Sequence, residues 1–170
     1  MNKILKAATF FILILSSFAV TSCLHKNNDE RTAQVETSEI TKYILLLKQT
    51  GNTVDTTASG LYYVIYTKGS GATPQPGDTC EIEYVGYFMN GVIFDASAEH
   101  YTKGIREIIY KSTDLIPGFD EAIGLLNKGS ESTFVIPSKL AYGDVWYDFI
   151  PPYTPLIFDI NLHDIKPKAE

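Results

Sequence analysis

Two segments of this chain alternate apolar and polar side chains with a period of two, and no other feature narrows the possible folds as far. In Thr79 to Met89, Cys80, Ile82, Tyr84 and Phe88 fall on one face, and Glu81, Glu83 and Tyr87 on the other. In Leu156 to Ile165, Leu156, Phe158, Ile160 and Leu162 oppose Asp159, Asn161 and His163. Successive side chains of a strand point to opposite faces, so each segment reads as a strand with one face in a core and the other wet. Leu61 to Tyr66, Val92 to Asp95 and Glu131 to Ile136 are also rich in β-branched and aromatic residues and are bounded by Gly, Pro and Asp. Antiparallel sheet should therefore make up most of the domain. One short helix interrupts the series. Pro117 suits its first turn, Asp120 and Glu121 complement the positive end of its dipole, and Gly129 is placed to end it. Phe119, Ala122, Ile123 and Leu126 give it a single apolar face. The expected class is α+β, an antiparallel twisted sheet wrapped around that helix.

The residues ahead of the strands follow other rules. Lys3 and Lys6 form a basic start, Ala7 to Val20 is apolar apart from Thr9, Ser16 and Ser17, and small residues lead to Cys23. This marks residues 1–22 as a targeting segment, its apolar run shorter than the roughly 20 residues that cross a bilayer. Val20-Thr21-Ser22-Cys23 resembles the bacterial lipoprotein box, whose cysteine is acylated and becomes the new amino terminus. Ordinary signal cleavage near Ala19 or Ser22 is the alternative. Residues 23–58 then form a lipid-anchored tether, polar and charged from Leu24 to Glu36. Within it, Ile40, Tyr43, Ile44 and Leu47 lie at helical spacing with Ser38 placed to cap, which predicts a helix from about Glu39 to Gln49. Such a helix is shorter than the three or four heptads of a coiled coil, so packing on its own domain, as a monomer, is expected ahead of dimerisation. With Cys23 acylated, Cys80 lacks a disulfide partner and should pack as a small hydrophobe. The formal charge is −6, and −8 once the leader's two lysines are removed. No basic stripe interrupts it, so nucleic acid is not an expected partner. Cys23, Cys80, His25, His100 and His163 show no ligand spacing, so neither metal nor cofactor is expected.

Four short blocks carry the functional signal: Asn90-Gly91-Val92-Ile93-Phe94-Asp95-Ala96-Ser97, Leu115-Ile116-Pro117-Gly118-Phe119-Asp120-Glu121, Leu140-Ala141-Tyr142-Gly143, and Ile150-Pro151-Pro152 leading to Leu156-Ile157-Phe158-Asp159. Singly, each is ordinary turn chemistry. In this order and spacing they resemble the FKBP-type peptidyl-prolyl cis/trans isomerases, over about Ser59 to Ile165. Thr57-Ala58-Ser59-Gly60-Leu61 is similar to the lead-in of secreted bacterial members, and lipoproteins of gliding bacteria resemble the chain as a whole. The resemblance sets an isomerase domain at 59–167 and implies the α+β fold already read from the strands. It also implies X-Pro segments of protein clients as substrates and leaves binding of macrolide inhibitors open.

The chemistry that this resemblance implies is rotation about a peptide bond. Twisting the bond destroys amide resonance at a barrier of about 18–20 kcal/mol, and before proline the cis and trans ends are nearly equal in energy. Such a reaction needs an aromatic box for the proline ring and donors for the flanking carbonyls, with no nucleophile. By resemblance Tyr84, Phe94, Phe119 and Phe158 line the box, with Leu115 and Ile116 at its rim and Ile150 on a flanking loop. The backbone N–H of Ile116 and the hydroxyl of Tyr142 would hold substrate carbonyls, and Asp95 would orient the tyrosines. Three departures from the family bear on activity. Phe119 stands where tryptophan is usual. The strand before Leu115 reads Arg106-Glu107-Ile108-Ile109-Tyr110, leaving its aromatic position to Ile108, the favoured reading, or to Arg106, the ungapped one. The loop Asp144 to Phe149 is aromatic and acidic, so Trp146, Tyr147 and Phe149 would cover the site or grip clients. A binding module keeping the fold, such as a holdase or a subunit of an envelope machine, is the competing class, and an accessory role in motility is open. A hydrolase fails for want of a nucleophile with a partner histidine. Leu24 after Cys23 favours the outer membrane of a Gram-negative envelope.

Overall fold

A computed structural model describes residues 31–111 and 115–168. The leader, Cys23 and the first residues of the tether lie outside these described residues. The elements run α1 (Ala33–Gln49), β1 (Asp55–Thr56), β2 (Tyr62–Thr67), β3 (Thr79–Phe88), β4 (Ile93–Ala96), α2 (Ser97–His100), β5 (Arg106–Ile109), α3 (Pro117–Gly124), β6 (Ser130–Ile136) and β7 (Leu156–Lys166), with single 3-10 turns at Thr102–Gly104 and Ser138–Leu140.

The strands form one antiparallel seven-stranded sheet in the order β1-β2-β6-β7-β3-β4, and β5 also pairs with β3. The period-two pattern sets its faces. Cys80, Ile82, Tyr84, Phe134, Ile136, Leu156, Phe158, Ile160 and Leu162 share a buried cluster with Phe119, Ala122, Ile123 and Leu126 of α3. That is the α+β arrangement expected, a sheet closed over one short helix. Cys80 is fully buried there, and burial pushes its thiol up to about 11.

α3 is a turn shorter than its pattern predicts. Leu125 and Leu126 already close with i→i−3 bonds to Ala122 and Ile123. Gly129, at φ 85°, serves the tight turn into β6 instead of the helix cap. Gly118 sits where an added Cβ would lie 2.4 Å from Ile136, so helix and sheet approach here as closely as glycine allows.

The second face of the sheet is not simply wet. α1 lies across it through Ile40, with Tyr43 and Ile44, and buries Val135 and Ile157. This helix starts six residues earlier than the sequence predicts, capped by Thr32, whose hydroxyl accepts from Val35 N at 3.3 Å, and not by Ser38. Its first inward residue is a carboxylate, Glu36, only 8% exposed, which accepts from the backbone N–H (2.5 Å) and hydroxyl (2.7 Å) of Ser138. An apolar stripe cannot signal a turn that buries an acid. Between helix and sheet, Tyr43 and Tyr87 join hydroxyls at 3.3 Å, and Tyr87 donates to Asp159 at 3.1 Å.

Candidate active site

β3 pairs with β7 along its whole length, but its other edge is shared. β5 pairs with Thr79 to Ile82 and β4 with Val85 to Tyr87. Tyr84 falls in the break between them. An unpaired buried backbone would be costly there, and Ser97 meets the need. Its fully buried hydroxyl accepts from Tyr84 N at 3.0 Å and donates to Tyr84 O at 3.3 Å. The small-residue step Ala96-Ser97 thus ends β4, starts α2 and leaves an opening in the sheet edge.

Over this opening lies a cavity of about 350 Å³, lined by Tyr84, Phe94, Asp95, Arg106, Leu115, Ile116, Pro117, Phe119, Tyr142, Tyr147 and Phe158. Its size is at the low end of ligand pockets, roughly 300–1,000 Å³, and suits a ring with its two flanking amides more than a folded surface. Phe158 is the hub. Its ring centroid stands 5.0 Å from Phe119 and 5.5 Å from Phe94, both edge-to-face, and 6.1 Å from Tyr84. Tyr84 in turn meets Phe119 at 5.7 Å, again edge-on. Edge-to-face contacts fix ring planes as well as positions, so the box is held open by its own walls.

The polar groups are few. Tyr84 donates its hydroxyl to Asp95 Oδ2 at 2.9 Å, and His100 Nε2 lies 3.0 Å from Oδ1. Burial first, and the Asp95 charge second, push the Tyr84 phenol up to about 12, so it stays a donor. Arg106 Nη1 approaches the same hydroxyl at 3.4 Å. Tyr142 stacks on Tyr147 with centroids 4.0 Å apart and planes 11° from parallel. Burial, then Tyr147 and Asp95, raise the Tyr142 phenol as well. The Ile116 N–H precedes the first turn of α3, and its carbonyl accepts from Phe119 and Asp120 at 3.0 and 3.2 Å. Neither the Ile116 N–H nor the Tyr142 hydroxyl has a partner among the described residues. The cavity therefore offers an apolar floor and, at its rim, donors that no described residue engages.

The comparisons with known proteins agree with this fold. A model of the FKBP-type peptidyl-prolyl cis-trans isomerase family matches residues 70–163, more than half of the chain. The chain belongs to that family. It is 37% identical over 114 residues to the FKBP-type peptidyl-prolyl cis-trans isomerase FkpA of Escherichia coli, covering 67% of this chain and 41% of that protein. A probable FKBP-type isomerase of Haemophilus influenzae is 38% identical over 121 residues, 71% of this chain and 48% of the relative. The chain thus spans less than half the length of these curated relatives. The crystal structure of Escherichia coli FkpA superposes with a TM-score of 0.69 at 31% identity, covering 81% of this chain and 62% of that one. A peptidyl-prolyl cis-trans isomerase from Pseudomonas syringae gives 0.66 at 27% identity, covering 81% and 98%.

Against the FKBP pattern, the structure brings Tyr84, Phe94, Asp95, Leu115, Ile116, Phe119, Tyr142 and Phe158 to one cavity. Ile150 and Trp146 are not on its lining. Ile150 is 4% exposed and packs in the core behind, because Tyr147 and Ile150 close a tight reverse turn with N–H to O bonds of 3.0 and 2.8 Å. The same turn leaves Trp146 outside, 68% exposed, and gives its expected place to Tyr147. On β5 the structure decides between the two readings. Ile108 pairs with Cys80 and is buried in the core, while Arg106 pairs with Ile82 and lines the cavity. His100 has no role in the sequence reading beyond its lack of ligand spacing; it reaches Asp95 only because α2 turns the chain back after β4.

Proposed function

We propose that this protein is a peptidyl-prolyl cis/trans isomerase that assists the folding of proteins outside the cytoplasm, anchored to a membrane by lipid on Cys23. The observation that carries the catalytic part is one cavity lined by Tyr84, Phe94, Phe119 and Phe158, with donors at its rim that no described residue engages. A proline ring enters the box. The Ile116 N–H and the Tyr142 hydroxyl receive the carbonyls on either side and hold the chain while the bond turns. Twisting removes charge separation between amide nitrogen and oxygen, so packing the bond against the rings of the box favours the twisted state over the planar one. Asp95 acts by position, fixing Tyr84 and accepting from His100. The test is isomerisation of an Ala-Leu-Pro-Phe peptide followed by NMR exchange, without a coupled protease. Acceleration is expected at micromolar protein, and a rate equal to background would overturn the proposal.

The anchoring part rests on the sequence around Cys23, and the outer membrane is the proposed site. Globomycin-sensitive processing, then proteolysis of whole cells, tests both the lipid and the side of the membrane. A second reading, a holdase, is favoured by one observation: Val145, Trp146, Tyr147 and Phe149 are each more than half exposed. Suppression of client aggregation that survives Asp95→Ala and Tyr142→Phe would support holding over catalysis.

A further inference from the structure

One wall of the cavity ends in a cation. Arg106 leaves β5 opposite Ile82, and its aliphatic stem forms wall while its head remains partly in water. The guanidinium carbon stands 5.9 Å from the Tyr84 ring centroid and 5.8 Å from that of Tyr101, so two tyrosines steady it. Its hydrogen bond is the long one, 3.4 Å, to the Tyr84 hydroxyl. Among the described residues no carboxylate lies within ion-pair distance of it. The acids described near it are engaged elsewhere. Asp95 gives one oxygen to Tyr84 and the other to His100, and Glu107, on the opposite face of β5, pairs with Lys166 at 2.8 Å. A planar fork of donors is thus held beside the box with most of its hydrogen-bonding capacity unused by the described residues, in the geometry that receives a carboxylate.

We propose that Arg106 is a specificity-determining residue that selects proline segments with an acidic neighbour: as the ring fills the aromatic box, a carboxylate on the residue next to it pairs with the guanidinium. This rests on the isomerase reading and gives that reading a substrate class. The preference opposes the field of the whole chain. At a formal charge of −6, or −8 without the leader, the protein repels acidic peptides, so only a local cation can reverse the order.

The experiment uses two peptide series, X-Pro and Pro-X, with X as Glu, Leu or Lys. Each is measured for exchange rate and, separately, for binding by chemical-shift titration, against the wild type, Arg106→Gln and Arg106→Lys. In at least one series the wild type should prefer Glu over Lys by about three- to tenfold at low salt, and less at high salt, as a partly exposed ion pair requires. Arg106→Gln should bring that ratio close to one, and Arg106→Lys, which keeps the charge but not the planar fork, should keep only part of it. A ratio in both series that Arg106→Gln leaves unchanged, with Arg106→Lys folded and behaving likewise, would overturn the proposal. Binding separates the two claims. Glu-selective binding without accelerated exchange would refute the isomerase and keep the site, whereas acceleration blind to X would keep the isomerase and refute the site.

Discussion

Gly86 shows how much of the cavity depends on a single missing methyl. It lies in β3 directly beneath the box, paired with Asp95 of β4 on one side and Phe158 of β7 on the other. A Cβ built there would stand 2.8 Å from both the Phe158 and Phe94 rings. Although the β3–β4 register shifts between Gly86 and Tyr87, the φ of Gly86 is not in the left-handed region, so alanine adds bulk without backbone strain there. Both rings would have to move, into space that otherwise receives substrate. Gly86→Ala is expected to lower kcat/KM for a proline peptide by at least about tenfold, and overpacking should cost about 1–3 kcal/mol of stability. NMR exchange and thermal unfolding measure the two. Unchanged turnover in a folded variant would mean that the aromatic box is not the site. Nothing in the sequence marks Gly86, because its importance comes from two rings that reach it from β4 and β7. Asp95 was easier to read, since an acid directly after an inward aromatic must find a partner. Its second partner, His100, was hidden by the turn between them.

At the level of elements, the period-two strands were legible because burial itself writes that pattern, whereas α1 was read too short. Its apolar stripe starts at Ile40, but the helix gains another turn inward through Glu36, an acid that only the Ser138 backbone and hydroxyl make affordable. β5 resisted reading for a different reason. Arg106 and Ile108 point to the same face, so alternation cannot separate them; only their distance along the strand from the break at Tyr84 does. The Glu36 clamp has a measurable consequence. Ser138 opens the 3-10 turn that leads to Tyr142, and Gly143 N bonds back to Ser138 O at 2.8 Å. Glu36→Ala leaves a buried N–H and hydroxyl unpaired, which should cost about 1–3 kcal/mol and lower Tm by several degrees. Amide exchange at Ser138 and Gly143 should speed up while β7 stays protected. Equal protection of Ser138 in variant and wild type would show that the carboxylate does not hold this turn.

Across the whole molecule, the sheet separates two jobs. One face, with α3, builds the cavity, while the other, with α1, fastens the loop that overhangs it: Arg31 donates to Tyr153 O at 3.0 Å, and Tyr153 N donates to Gly143 O at 2.9 Å. Held at its base, that loop carries its apolar side chains outward. Phe149 meets Phe88 edge-on at 6.5 Å, which brings the loop against the β3–β4 hairpin, where Val92 and Ile93 are each 56% exposed. Exposed apolar side chains therefore stand on both the loop and the hairpin it meets, largely outside the cavity lining. A patch of that kind, beside a site built for one ring, would offer an unfolded chain contacts that a short peptide does not reach. The joint change Trp146→Ser and Phe149→Ser touches surface on which short peptides make little contact, so their isomerisation should stay within about twofold. Refolding of a protein limited by a slow proline step should instead lose severalfold of its acceleration, because each encounter with the unfolded chain would last a shorter time. The two rates falling together would show that the loop belongs to the site itself. Neither rate falling would show that clients are gripped elsewhere.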